Sequence, residues 1–291
     1  MTELTVLDNT GKTGEVHDDL VGRISESLAE AAPMVRDVTK LGLPRATYDL
    51  RDRSGWVAEY GRRARGAAER DSAHYELSRF HKQLASGMPR VATRIADRAW
   101  TLADPEPVVD SQYKPTILIS VDALEHQGVL ENPAALTERL IRSLAHLAQI
   151  TASRGVVVPP RIWPPHASHP SRPAHRLMDG HAQWVVDAVA PSLLGQPDER
   201  RRLKPSARHR RQAFLTQLFD CGRTERRARQ GARFVAQAIA GSGHAEFNAV
   251  WRNAGLVPTE RELARPDEWL GRRATLAAAP GVEPAAVHPP E

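Results

Sequence analysis

The chain of 291 residues holds one cysteine, Cys221, and aromatic residues make up only 5% of it. A lone thiol excludes an intrachain disulfide and any cysteine-rich zinc cluster, and it points to a reducing, cytoplasmic setting. Long apolar runs are also missing, since no stretch approaches the roughly 18 to 20 residues that a membrane helix needs. The opening MTELTVLDNTGKTGEVHDDL has neither the basic start nor the apolar core of a secretion signal, so export and membrane insertion are disfavoured. The scarcity of aromatics bears on a further class. A net charge of +5 and the basic stretch ERRRLKPSARHRRQ at 199 to 212 suggest nucleic acid, yet no aromatic lies between Arg200 and Arg211 to stack on bases. Charge without a groove-entering element or stacking rings is a weak signal, and a solvated basic loop and helix start accounts for it better.

A hydrophobic content of 41% and a charged content of 26% are ordinary for a globular protein. The pattern predicts one domain over residues 19 to 272, between a polar, poorly ordered tail at 1 to 18 and an Ala/Pro-rich tail at 273 to 291. The body reads as mainly α (α+β), helical with a small sheet. Helical spacing of apolar groups runs through EVHDDLVGRISESLAEAAPMVRDVTKLG and through RSGWVAEYGRRARGAAERDSAHYELSRFHKQLASG. Pro89 is expected to start a short helix with Val91, Ile95 and Ala99 on one face. KPTILISVDAL at 114 to 124 is the clearest strand. Asn132 and Pro133 read as N-cap and first residue of the next helix. The proline-dense RGVVVPPRIWPPHASHPSRPAH then reads as a surface loop. RLMDGHAQWVVDAVAP follows as a helix that Pro191 ends, then RHRRQAFLTQLFD, TERRARQGARFVAQAIAG with its terminal glycine, and HAEFNAVWRNAGLV.

LIRSLAHLAQI at 140 to 150 carries the central question. On a helix, Leu136, Leu140, Leu144 and Leu147 form one stripe, and Arg142, His146 and Gln149 group beside it. In the zinc-peptidase pattern His-Glu-x-x-His, two histidines four apart ligate the metal and the glutamate activates its water. With His146 as the second histidine, the ligand and base positions hold Arg142 and Ser143. A lone histidine beside a leucine stripe is more often packed than metal-bound.

MDGHAQWVVDAVAP, RQGARFVAQAIAGSGHAEFNAVW and LVPTERELARPDEWLGR occur in that order at 178 to 272, and DRSGW at 52 to 56 precedes a helix. Together these resemble an actinobacterial zincin-like family, known as zinc-dependent metalloproteases or as proteins associated with deazaflavin-coenzyme biosynthesis. The resemblance covers most of residues 45 to 272 and is most specific in the C-terminal block. It implies a His-Glu-x-x-His helix at 140 to 150 and a Glu-Gly-His helix at 178 to 191 whose glutamate is the third ligand. His146 then matches the second histidine, Asp179 replaces the glutamate and His181 matches the family histidine. Arg142 and Ser143 depart from the pattern, Ser143 taking the place of the general base.

These residues predict a zincin-like domain with a degenerate site that does not act as a peptidase. His146 and Asp179 are the vestigial metal candidates, and Arg142, Gln149, His181 and Gln183 line the cleft. Arg142 is expected to pair with Asp179, because a guanidinium holds a carboxylate bidentately. On helical geometry Asp179 and His181 point to opposite sides, so His181 is expected to be packed away from the site. The implied partner is a protein or peptide-like ligand, with no cofactor unless zinc is retained. The competing reading is a metal-dependent hydrolase that completes a zinc site with His146, Asp179 and one of His166, His169 and His175 from the proline-rich loop. Ser143 as a nucleophile has no oxyanion-hole signature beside it.

Overall fold

A computed structural model describes residues 3 to 11, 15 to 74, 79 to 109, 115 to 154, 157, 171 to 195, 203 to 217 and 222 to 278. It is a mainly helical α+β fold built on one mixed, four-stranded sheet. The strands are β1 (Leu4–Asp8), β2 (Ala46–Arg51), β3 (Glu106–Val109) and β4 (Pro115–Ser120). They lie in the order β1-β2-β4-β3, with β1, β2 and β4 parallel and β3 antiparallel on the far edge. Every residue of β4 is buried, as befits a central strand covered on both faces. Because side chains alternate across a strand, Ile117 and Ile119 join Tyr48 and Leu50 on one face, whereas Leu118 meets Trp56, Trp100 and Val108 on the other.

The first face is covered by α1 (Glu15–Thr39), α5 (Pro133–Ser153) and α6 (Ser171–Leu194). The second carries α2 (Arg53–His74) and α3 (Arg79–Ala99). Ser120 ends β4 and caps α4 (Val121–His126) by accepting from the Ala123 amide at 3.3 Å. After α6 come α7 (Ala207–Gln217), α8 (Gly222–Ser242) and α9 (His244–Asn248), then α10 (Glu260–Ala264) and α11 (Pro266–Ala278). Thr259 and Glu262 form a reciprocal capping box at the start of α10. Among the described residues no helix is long and apolar enough to cross a membrane.

Several expectations are corrected. Leu4–Asp8, assigned to a poorly ordered tail, pairs with β2 as an edge strand, and α1 begins at Glu15. LTVLD is too short and too exposed for its pattern to show. β2 and β3 also went unread, since ATYDLR and EPVV mix polar residues and proline into short strands. Pro89 lies inside α3, and Val91 and Ile95 are exposed, at 45% and 61%. Pro191 sits near the end of α6 and the helix continues to Leu194. The left-handed glycine after α8 is Gly243 (φ 82°), two residues past the expected stop at Gly241. α11 reaches Ala278, inside the expected tail. The described basic residues of 199 to 212 are mostly exposed, as expected, and some of them also contact the body. Arg208 and Arg53 stack on Trp100, at 5.1 and 5.3 Å from the ring centre, and His209 bonds the Thr101 carbonyl at 2.9 Å.

The tightest packing in the fold lies where α6 crosses α8. A Cβ on Gly180 would come within 2.4 Å of the Gly231 backbone, and one on Gly231 would lie 2.7 Å from Gly180 Cα. Backbone cannot move aside as a flexible side chain does, so only glycine fits. Gly180→Ala is expected to lower stability by about 1–3 kcal/mol or more, read as a fall in the urea midpoint at unchanged slope. An unchanged midpoint would show that the two helices do not touch there.

Candidate functional site

α5 and α6 meet along a seam with an apolar side and a polar side. α5 starts where Asn132 accepts from the Ala135 amide at 3.0 Å, with Pro133 at the first position, and its leucine stripe is fully buried. The two helices run antiparallel, so successive residues of α5 meet earlier residues of α6. Arg142 donates to Gln183 Oε1 at 2.7 Å, and Gln183 Nε2 donates to Asp187 at 2.8 Å. One turn on, half-buried His146 lies in the field of Asp179. On α6 the row His175, Asp179, Gln183, Asp187 recurs every four residues, which keeps it on one side of the helix.

Gln149 joins the two histidines of the seam. Its Nε2 donates to the Met178 carbonyl and to His181 Nδ1, both at 2.9 Å, and its Oε1 lies 3.0 Å from His146 Nδ1. A carbonyl can only accept, so the Met178 contact fixes which end of the amide is nitrogen. Two tautomers follow. His146 carries its proton on Nδ1 and leaves a lone pair on Nε2. His181 accepts at Nδ1 and carries its proton on Nε2. That N–H is buried without a hydrogen-bond partner among the described residues.

His181 is wholly buried among rings. Phe247 stacks on it at 5.9 Å, Trp251 meets it edge-on at 5.2 Å and Trp184 is tilted at 5.5 Å. Burial, with smaller contributions from His146 and His244, pushes its pKa down to about 3. His146 is also pushed below its ordinary value, mainly by burial. Asp179 and the Gln149 bond oppose that shift, and Arg142 and His175 add to it.

Ser143 faces away from the seam. It is fully buried, donates to the Leu140 carbonyl at 2.8 Å and lies 3.2 Å from the Tyr48 hydroxyl on the sheet. Burial raises the Tyr48 hydroxyl well above its usual range, so this pair stays neutral.

Three expectations change here. Arg142 bonds the Gln183 amide, not Asp179: the Gln183 oxygen meets the guanidinium, and the Asp179 carboxylate falls one turn along, beside His146. His181 is packed among rings on the other side of α6 from Asp179, as expected, but it is also connected to His146 through Gln149. The amide spans the helix interface and reaches both. His175 stands on the first turns of α6 rather than in a loop, while His166 and His169 lie outside the described residues. Gln149 was legible only as a cleft residue, and its place three residues after His146 on a helix is the signal that could have marked it as the bridge. The ring cage around His181 has no local signal, because Phe247 and Trp251 come from far along the chain.

Zinc does not fit this set. Catalytic zinc takes three protein ligands and a water, and among the described residues no group of three or more His, Cys, Asp or Glu side chains converges as a metal site. The guanidinium of Arg142 beside His146 would also repel a dication.

A family model described as zincin-like metallopeptidase matches residues 174 to 270, about a third of the chain. That stretch runs from α6 through α11 and includes Asp179 and His181 but not His146. Among solved structures, the fold is similar to that of "a putative hydrolase with a novel fold from Chloroflexus aurantiacus". The alignment covers 90% of this chain and 92% of that one at 14% identity, with a TM-score of 0.55, and is a likeness of fold alone. The comparison with curated proteins gives no match.

The buried His181 couples the seam to pH. Its folded pKa, about 3, lies below the ordinary 6.5. The unfolded chain therefore takes up the proton first, and the stability His181 contributes is complete above about pH 6.5 and is lost as pH falls towards 3. Nitrogen-15 NMR is expected to show His181 as the neutral Nε2–H tautomer throughout that window in the folded protein. Titration of His181 near pH 6.5 would contradict the burial.

Proposed function

We propose that this protein uses a zincin-like scaffold to hold a protein or peptide-like ligand along the α5–α6 seam, without zinc-dependent peptide hydrolysis. The observation that carries this reading is the occupancy of the two positions hydrolysis requires. Arg142 stands at the first-ligand position and is engaged with Gln183, and Ser143 at the base position is turned into the core against Tyr48. A general base must reach a water in the cleft, and Ser143 has neither the charge nor the direction. What remains on the seam is a row of groups suited to recognition: the guanidinium of Arg142, the Nε2 acceptor of His146 and the carboxylates of Asp179 and Asp187. Such a row matches the alternating donors and acceptors of a polypeptide backbone or an amide-bearing metabolite. A biosynthetic role, which the resemblance to deazaflavin-associated proteins implies, would use the seam in the same way.

One feature favours the second reading, a hydrolase with a remodelled metal site. Metal-bound histidines usually donate their other ring N–H to an oxygen, and His146 donates Nδ1–H to Gln149 Oε1 in that manner. Asp179 and His175, two potential ligands, are near enough to act on His146 electrostatically.

Metal analysis separates the two. Protein purified without a histidine tag is expected to hold well below one equivalent of zinc and to leave a mixed peptide library uncleaved, whereas a catalytic site would hold about one zinc per chain. One tightly held zinc that disappears in His146→Ala would reject the binding-protein reading.

A further inference from the structure

Away from the seam, the outer face of α8 and the ends of α10 and α11 enclose a groove of about 620 Å³. Arg226, Arg229, Gln230, Arg233 and Gln237 of α8 line one side, Ala264 and Pro266 the other, and Phe234 and Leu263 form the floor. The lining contains three guanidinium groups and two amides but no carboxylate. The floor is rigid, because Phe234 is buried and meets Trp269 edge-on at 5.5 Å.

Three glutamates near the groove in sequence are committed elsewhere, while exposed Asp267 follows Pro266 on α11. Glu260 pairs with Arg176, Glu262 with Arg272, and Glu268 with Arg261 and Arg265. Arg226 and Arg233 are exposed and have no hydrogen-bond or ion-pair partner among the described residues. Two cations on one rim with no ion-pair partner among the described residues, above an apolar floor, form a site complementary to an anion that also carries apolar groups.

We propose that this groove binds an acidic peptide segment in extended conformation. Along α8 Arg226 and Arg233 are separated by about 10 Å of helix rise. Alternate side chains of an extended peptide lie about 7 Å apart on one face, so successive glutamates of an alternating sequence come within reach of these two long side chains. Gln230 and Gln237 offer both donors and acceptors to the peptide backbone between them. The intervening apolar side chains rest on Leu263, Ala264 and Pro266. Nucleic acid fits less well, because the floor ring is buried and cannot stack on a base.

The test is fluorescence anisotropy with the full chain and three labelled probes of equal length: a peptide of alternating glutamate and leucine, the same peptide with glutamine for glutamate, and a single-stranded oligonucleotide. The glutamate peptide is expected to bind most tightly, the glutamine peptide not at all, and the affinity to fall with salt. R226E/R233E is expected to weaken the glutamate peptide by about tenfold or more, whereas the charge-matched R36E/R211E, altered on α1 and α7, retains binding within about twofold. All four arginines are exposed, and matching circular dichroism would verify that both variants fold. Equal losses in the two variants would reduce the effect to net charge and overturn the site. Unchanged binding in R226E/R233E, equal binding of the glutamine peptide, or tighter binding of the oligonucleotide would overturn it as well.

Discussion

The backbone contact between Gly180 and Gly231 sets the geometry on which the seam depends. Helices normally pack at 8–10 Å, spaced by side chains, and two facing glycines bring the α6 and α8 backbones into direct contact. The approach falls between Asp179 and His181, which lie on either side of Gly180 on α6. One is directed to the polar seam with α5 and the other into the rings contributed by the segment after α8. A shift of α6 away from α8 would loosen both at once, since the Trp251 and Phe247 rings that hold His181 follow α8 in the chain.

Within the seam, neutral hydrogen bonds do most of the organising. The Gln149 amide fixes the tautomers of two histidines and ties α5 to the Met178 carbonyl, so three groups share one side chain. Burial keeps the His181 imidazole uncharged and lowers the pKa of His146, which suits a histidine pair so near Arg142. The guanidinium is satisfied by an amide that leans on Asp187, so its charge is balanced at one remove rather than quenched by direct contact. Electrostatically the seam is a mild, mixed surface and not the concentrated negative site that a dication requires.

The sequence showed much of this and hid particular parts for identifiable reasons. Long helices with clear stripes, such as α5 with its Asn132 cap, were legible, and so was β4 with its β-rich apolar run. Edge strands were not, because LTVLD is largely exposed and EPVV is only four residues with a proline, so neither carries a clear periodicity. On the seam, Arg142, His146, Asp179, Gln149 and Gln183 could be selected from helical spacing, but not who bonds whom. That choice turns on a one-turn offset between α5 and α6, and no local pattern encodes an offset. The direction of Ser143 was hidden for a related reason: its neighbour across the interface, Tyr48, lies 95 residues away on the sheet.

The Tyr48–Ser143 contact also has a bearing on how such a chain can change over generations. A glutamate introduced at position 143 would enter a dry site beside a phenol that itself resists ionisation, and an unpaired buried carboxylate is among the most costly groups a fold can carry. A histidine restored at position 142 would meanwhile remove the guanidinium that engages Gln183. Either substitution made first would be penalised before the other could reward it. The small hydroxyl against Tyr48 therefore makes the His-Glu-x-x-His pattern hard to reach from this sequence by single steps.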